Sequence, residues 1–175
     1  MMNNNQIEKI TSEILINLNF LKVPVNVEKI SSLLNVEIVR QNLQDDISGF
    51  LVRKNNKDVI GLNQSQHDVR QRFTIAHELG HFILHKDQPL FVDYYRGSKL
   101  FRSNQRGSNY IVEKQANFFA ASLLMPKKLI NSELKKLSED MDYDSKVDVL
   151  STKFKVSFQA MDFRLKYLGN YDYGF

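Results

Sequence analysis

The stretch "TIAHELGHFILH" (residues 74–85) restricts the fold of this chain more than any other. Three of the four histidines stand in it, four residues apart from one another. Its apolar residues recur at helical spacing, which predicts one helix from Asp68 to about Lys86. Leu79, Phe82 and Ile83 are expected to anchor that helix in a core, while Gly80 leaves space beside the polar residues.

His77 and His81 are displaced by only about 40° around such a helix, so both rings can reach one ion. Glu78 projects from a neighbouring direction and can act as a base on water, the mechanical content of an H-E-x-x-H motif. A zinc site of this kind needs a third protein ligand and keeps one position for water. His67, His85, Asp87, Asp93 and Glu113 are the candidates. His85 lies about 80° round from His77, and one straight helix cannot wrap three ligands around an ion. Its expected place is the helix end, where a cationic ring is favoured by the dipole. Glu113 is better placed, because it belongs to a separate helical pattern that can pack across the first. Ala116, Ala120 and Ala121 would let the two helices approach closely. Asn117, one turn beyond Glu113, can orient a ligand histidine through a hydrogen bond.

The rest of the chain supplies a compact setting. Helical spacing places one helix over residues 6–20 and a second over 26–35, with Asn26 as its cap. Short β-rich runs, "VEIVR", "SGFLVRK" and "KDVIGLN", predict a three-stranded antiparallel sheet over 36–63, with a hairpin turn at Asn55-Asn56. Residues 87–109 read as an irregular basic connection, either a guide for an acidic substrate segment or a solvated loop. A helical pair closes the chain. The expected fold class is α+β: a mainly helical domain around a small sheet. Residues 1–138 form the metal-site part, and 139–175 form a helix-turn-helix-like segment packed on it as one unit.

At 175 residues the chain can bury a core unaided, and it has no cysteine for disulfides, thiolate ligands or a thiol nucleophile. No signal peptide pattern opens it, and no apolar run approaches the roughly 20 residues of a membrane helix. A soluble, cytoplasmic protein is expected. The net charge of +4 permits contact with nucleic acid without arguing for it.

Beyond the histidine motif, the chain resembles the ImmA/IrrE family of metallo-endopeptidases. "PVNVEKISSLLNVEIV" resembles the family's entry segment, and "RQRFTIAHELGHFILH" its active-site helix. "EKQANFFAASLLMP" resembles its second signature and "FKVSFQAMDFRLKYLG" its C-terminal one, so the likeness runs over residues 20–169. The resemblance implies zinc held by His77, His81 and Glu113, with Glu78 as general base. It also implies a protein substrate, namely an XRE-type helix-turn-helix repressor of a mobile element, prophage or stress regulon. That repressor would be supplied in trans, and its loss would relieve repression. An oxyanion donor is usually wanted as well, and Tyr94, Tyr95, Tyr110 and His67 are available for it.

Two rival functions follow from the same residues. The protein can inactivate a partner regulator by binding, as a zinc-containing anti-repressor or toxin–antitoxin-type partner. Alternatively "LSTKFKVSFQAMDFRLKYL" can serve as a DNA-binding helix-turn-helix with Leu150, Phe154, Val156, Ala160 and Leu165 as its core. Against DNA binding, the turn falls at Lys155 rather than a glycine. The second helix would present Gln159, Asp162, Arg164 and Lys166, and residues 126–175 carry nine Lys and Arg against eight Asp and Glu.

Overall fold

The computed structural model describes residues 2–55, 57–94 and 108–169. Helix α1 (Asn4–Asn17) starts at a capping box in which Asn3 and Gln6 satisfy each other's backbone N–H groups. It buries Ile7, Thr11 and Leu15, with Ile10 and Ile14 packed at the margin of the core. Asn26 caps α2 (Val27–Leu33) through the Lys29 N–H. Three strands follow: β1 (Val36–Gln41), β2 (Ile47–Lys54) and β3 (Lys57–Asn63). The β2–β3 hairpin forms where expected, and Asn55 takes the positive φ of 53° that its tight turn requires.

The sheet departs from the expected three antiparallel strands in two ways. It has a fourth strand, β4 (Leu90–Tyr94), and the order is β1-β3-β2-β4 with β1 parallel to β3. The β2–β3 hairpin leaves the far edge of β3 free, and β1 occupies that edge. Alternation along a strand is the same for parallel and antiparallel partners, so the pattern of β1 does not reveal its direction. In β4, Phe91 and Asp93 are buried while Leu90 is exposed, a period-two pattern hidden by the preceding Pro89. The segment 95–107 of the basic connection lies outside the described residues.

Helix α3 (Asp68–Leu84) runs through the centre and is buried without a break from Thr74 to His81. On one side it packs against β2 and β3, on the other against α4 (Ser108–Leu124), which in turn carries α1. Arg53 of β2 closes the C-terminal end of α3. Its guanidinium donates to the carbonyl oxygens of His81, Phe82 and His85 at 3.1, 2.7 and 2.8 Å. The cation at this helix end is therefore Arg53, not His85. An arginine fork reaches several carbonyls at once, and its charge complements the negative end of the helix.

Helices α5 (Lys127–Leu134), α6 (Tyr143–Phe154) and α7 (Phe158–Tyr167) complete the described chain. Of the expected small core, Leu150, Phe154 and Leu165 are fully buried and Val156 nearly so, while Ala160 is only partly buried at its margin. Arg164 is not presented to solvent as its sequence position suggests. It is 3% exposed, donates to Glu8 of α1 at 2.6 Å and to the Met125 carbonyl at 3.0 Å, and is thereby removed from any DNA-facing surface. Arg72 of α3 bonds the carbonyl oxygens of Val25 and Lys155, tying the α6–α7 turn to the central helix.

Lys155 sits in the left-handed region, with φ 54° and ψ 52°, at the end of α6. A side chain there crowds its own carbonyl, whereas glycine does not. Lys155→Gly is expected to stabilise the protein by about 0.5–1 kcal/mol, read as a rise in the denaturation midpoint at unchanged m-value.

Among the described residues, no helix is long and apolar enough to cross a membrane.

Candidate metal centre

The crossing of α3 and α4 brings together two histidines from one helix and a carboxylate from the other. His77 Nε2 and His81 Nε2 lie 3.0 Å apart, and Glu113 Oε2 and Oε1 lie 3.3 and 3.4 Å from them. His77 and His81 are both 1% exposed. Among the described residues this trio is the group of His and carboxylate side chains close enough to share an ion. Ligand bonds of about 2.0–2.1 Å in tetrahedral geometry require donor atoms about 3.3 Å apart. The observed distances are close to that value, although the two from Glu113 belong to different oxygens, and one ligand atom from each residue lies within 4.8 Å of the others.

Small residues make the crossing possible. A Cβ on Gly80 would lie 3.1 Å from the Ala116 Cα and 3.2 Å from both the Ala116 carbonyl oxygen and the Phe119 Cβ. Ala116 and Ala120 are completely buried in the contact. Gly80→Val is expected to force the helices apart and cost about 1–3 kcal/mol of stability. Zinc affinity, measured against a competing chelator dye, should fall with it, because Glu113 is withdrawn from the two rings.

Glu78 is fully buried, and neither carboxylate oxygen has a hydrogen-bond partner. Burial raises its pKa well above the ordinary value, more than the nearby His77 lowers it. His77 is raised to about 9; burial disfavours the charged ring, but Asp93, Glu113 and Glu78 outweigh it. His81 is lowered to about 4 by burial, with the His77 charge adding to the effect against the Glu113 hydrogen bond. Glu113 is itself opposed by burial, yet the two histidines it faces, His77 foremost, hold it well below the usual carboxylate range. Without an ion, these shifts favour a charged His77 beside a neutral His81 and an ionised Glu113 at neutral pH.

The other sequence candidates lie elsewhere. His67 caps the start of α3 by accepting from the Val69 N–H, about 15 Å along the helix from His77. Asp87 is exposed. Asp93 is buried and bonded to Arg70 at 2.8 Å, and Arg70 also donates to Ser48. Asn117 forms no hydrogen bond to either ligand histidine; it lines a groove beside the centre together with Phe73, Phe163 and Tyr167. Tyr110 stands half-exposed one turn before Glu113. Of the other possible oxyanion donors, Tyr95 and the side chain of Tyr94 lie outside the described residues. His85 turns its ring back against His81, with their Nδ1 atoms 3.1 Å apart, and Phe91 stacks on His81 at 3.9 Å. Phe91 and Gln115 were missed as neighbours of the centre, because they reach it from β4 and α4 and have no spacing relation to the histidines.

A central helix bearing H-E-x-x-H, crossed by a second helix that supplies a carboxylate, is the arrangement of a metallopeptidase-type domain with a cluster that could hold a metal ion. The chain belongs to the Peptidase_M78 family, the IrrE N-terminal-like domain, whose model matches residues 32–166. It is 37% identical over 82 residues to the radiation response metalloprotease IrrE of Deinococcus radiodurans, a match covering 45% of this chain and 23% of that protein. The chain thus spans less than a quarter of that relative's length. It is 25% identical over 146 residues to the metallopeptidase ImmA of Bacillus subtilis, covering 83% of this chain and 78% of that one. A solved Mycobacterium tuberculosis transcriptional regulator shares the fold, with a TM-score of 0.57 at 18% identity over 93% of this chain and 46% of that chain.

Proposed function

We propose that the protein is a zinc-dependent endopeptidase, with His77, His81 and Glu113 as the zinc ligands and Glu78 as the general base. The observation that carries this reading is Glu78, a buried carboxylate with both oxygens unbonded, one residue from a ligand in a trio whose spacing fits a tetrahedral ion. A structural metal site has no need of such a group. Bound there, zinc supplies Lewis acidity toward a carbonyl and toward water. Glu78 takes the proton of the attacking water and returns it to the leaving amide nitrogen. Its raised pKa suits it to hold that proton between the two steps.

A groove of about 730 Å³ beside the centre has room for a segment of a polypeptide substrate. It begins at Phe73 and Asn117, one helical turn from His77 and Glu113, and runs between α3, α4 and α7 past Ala160 and Phe163. Side chains of a bound segment fit its largely apolar lining, and the Asn117 amide can take a backbone group. The resemblance to the ImmA/IrrE family supports an XRE-type helix-turn-helix repressor, supplied in trans, as the substrate. A repressor substrate would place the enzyme in the cytoplasm. Incubation of the zinc-loaded protein with the product of a neighbouring repressor gene, followed by mass spectrometry, tests this. Two complementary fragments that fail to appear with chelator are expected; an intact repressor under both conditions would count against it.

A further inference from the structure

We propose that His85 and Gln115 are positioning residues that fix the proton and the ring plane of His81, so that its Nε2 lone pair always faces the ion. The inference rests on the metal-centre reading above and adds to it the roles of two residues.

The proton placement follows from both ends of one hydrogen-bonded chain. At the outer end, Gln115 Nε2 donates to the Met2 carbonyl oxygen at 2.7 Å. A carbonyl oxygen only accepts, which fixes the amide orientation and turns Gln115 Oε1 toward His85 Nε2, 3.0 Å away. That oxygen also only accepts, so His85 Nε2 carries a hydrogen. The neutral ring then has an acceptor at Nδ1, and His81 Nδ1, 3.1 Å from it, must donate. At the inner end, a metal ligand at His81 Nε2 needs a lone pair there and hence a hydrogen on Nδ1. The two ends give the same answer.

The backbone makes this contact possible. His85 follows His81 by one helical turn, which sets the two rings side by side, and it closes α3 as its C-cap residue at φ −125° and ψ 65°. Arg53 holds its carbonyl at 2.8 Å, and Phe91 stacks within 20° of the His81 plane. His77 has no equivalent, since its Nδ1 makes no hydrogen bond. Among the described residues, a side chain sets the tautomer of His81 and none does so for His77.

Losing such an outer hydrogen bond typically weakens metal binding by about 10–100-fold. His85→Phe keeps the ring's bulk and removes the acceptor; Gln115→Ala cuts the chain from a different helix and guards against misfolding of the first variant. Zinc affinity by chelator competition should fall about 10–100-fold in His85→Phe and by a smaller factor in Gln115→Ala. Gln115→Glu, which still accepts from His85, should retain more affinity than Gln115→Ala. In zinc-free protein, ¹⁵N chemical shifts should report the Nδ1–H form of His81 in the wild type and a shift toward Nε2–H in His85→Phe. Unchanged affinity and unchanged His81 shifts in both His85→Phe and Gln115→Ala would overturn the proposal. If the shifts move but even the wild type binds no zinc, the assignment of the centre fails while the positioning of His81 stands.

Discussion

Glu78→Gln is expected to bind zinc and fold normally while losing about 10²–10⁴-fold in the rate of peptide hydrolysis. The substitution keeps the shape of the side chain and removes its ability to accept a proton from water. It also has a thermodynamic signature that does not depend on knowing the substrate. Glu78 has a folded pKa well above its ordinary value of 4.5, caused chiefly by burial. Such a group favours the folded state while protonated, and that contribution is lost as pH rises through the folded value. Chelator-treated wild type should therefore lose stability relative to Glu78→Gln between pH 5 and 8, with the gap widening toward alkaline pH. Thermal melts of the two proteins at both pH values measure it, and a constant gap would show that the buried carboxylate does not carry the shift. The same variant separates cutting from binding. Relief of repression by zinc-loaded Glu78→Gln equal to that by wild type would identify a non-cleaving anti-repressor instead.

The trio was legible because local periodicity encodes it. His77 and His81 share a helix face by spacing alone, and Glu113 became a candidate because its own helical pattern carries small residues where a crossing needs them. The hairpin at Asn55 and the tight turn at Lys155 were equally local. What stayed hidden depends on which elements become neighbours. The parallel placement of β1 leaves no mark on its alternation. β4 brings Phe91 to His81 from a segment that reads as loop. His85 does close the helix as its C-cap, but Arg53, an ordinary strand residue in the sequence, supplies the cation that the helix dipole favours there. Arg164 shows the same limit, because its exposure was inferred from its own helix, whereas Glu8 of α1 and the Met125 carbonyl take up its guanidinium.

Glu113→Gln should weaken zinc binding by about 10²–10³-fold. Apparent binding free energies of roughly 10–16 kcal/mol for structural zinc, shared among four ligands, correspond to about 2.5–4 kcal/mol for each. The amide keeps the size of the side chain but has no charge to offer the ion, so the loss tests the ligand rather than the packing. The electrostatics give a second, independent readout. In wild type, His77 is raised to about 9 with help from Glu113, so at pH 7 an incoming ion must displace a proton from its Nε2. Titration calorimetry at pH 7 in buffers of different ionisation enthalpy should show about one proton released per zinc, and affinity should increase with pH until about 9. Glu113→Gln replaces a charged hydrogen-bond acceptor facing His77 with a weaker neutral one and removes a negative charge, and both of the interactions so reduced raise the His77 pKa. Fewer protons should then be released at pH 7, and the rise of affinity with pH should level off earlier. A variant with weakened affinity but an unchanged proton count would mean that Asp93 and Glu78, not Glu113, keep His77 charged. Unchanged affinity would remove Glu113 from the ligand set altogether.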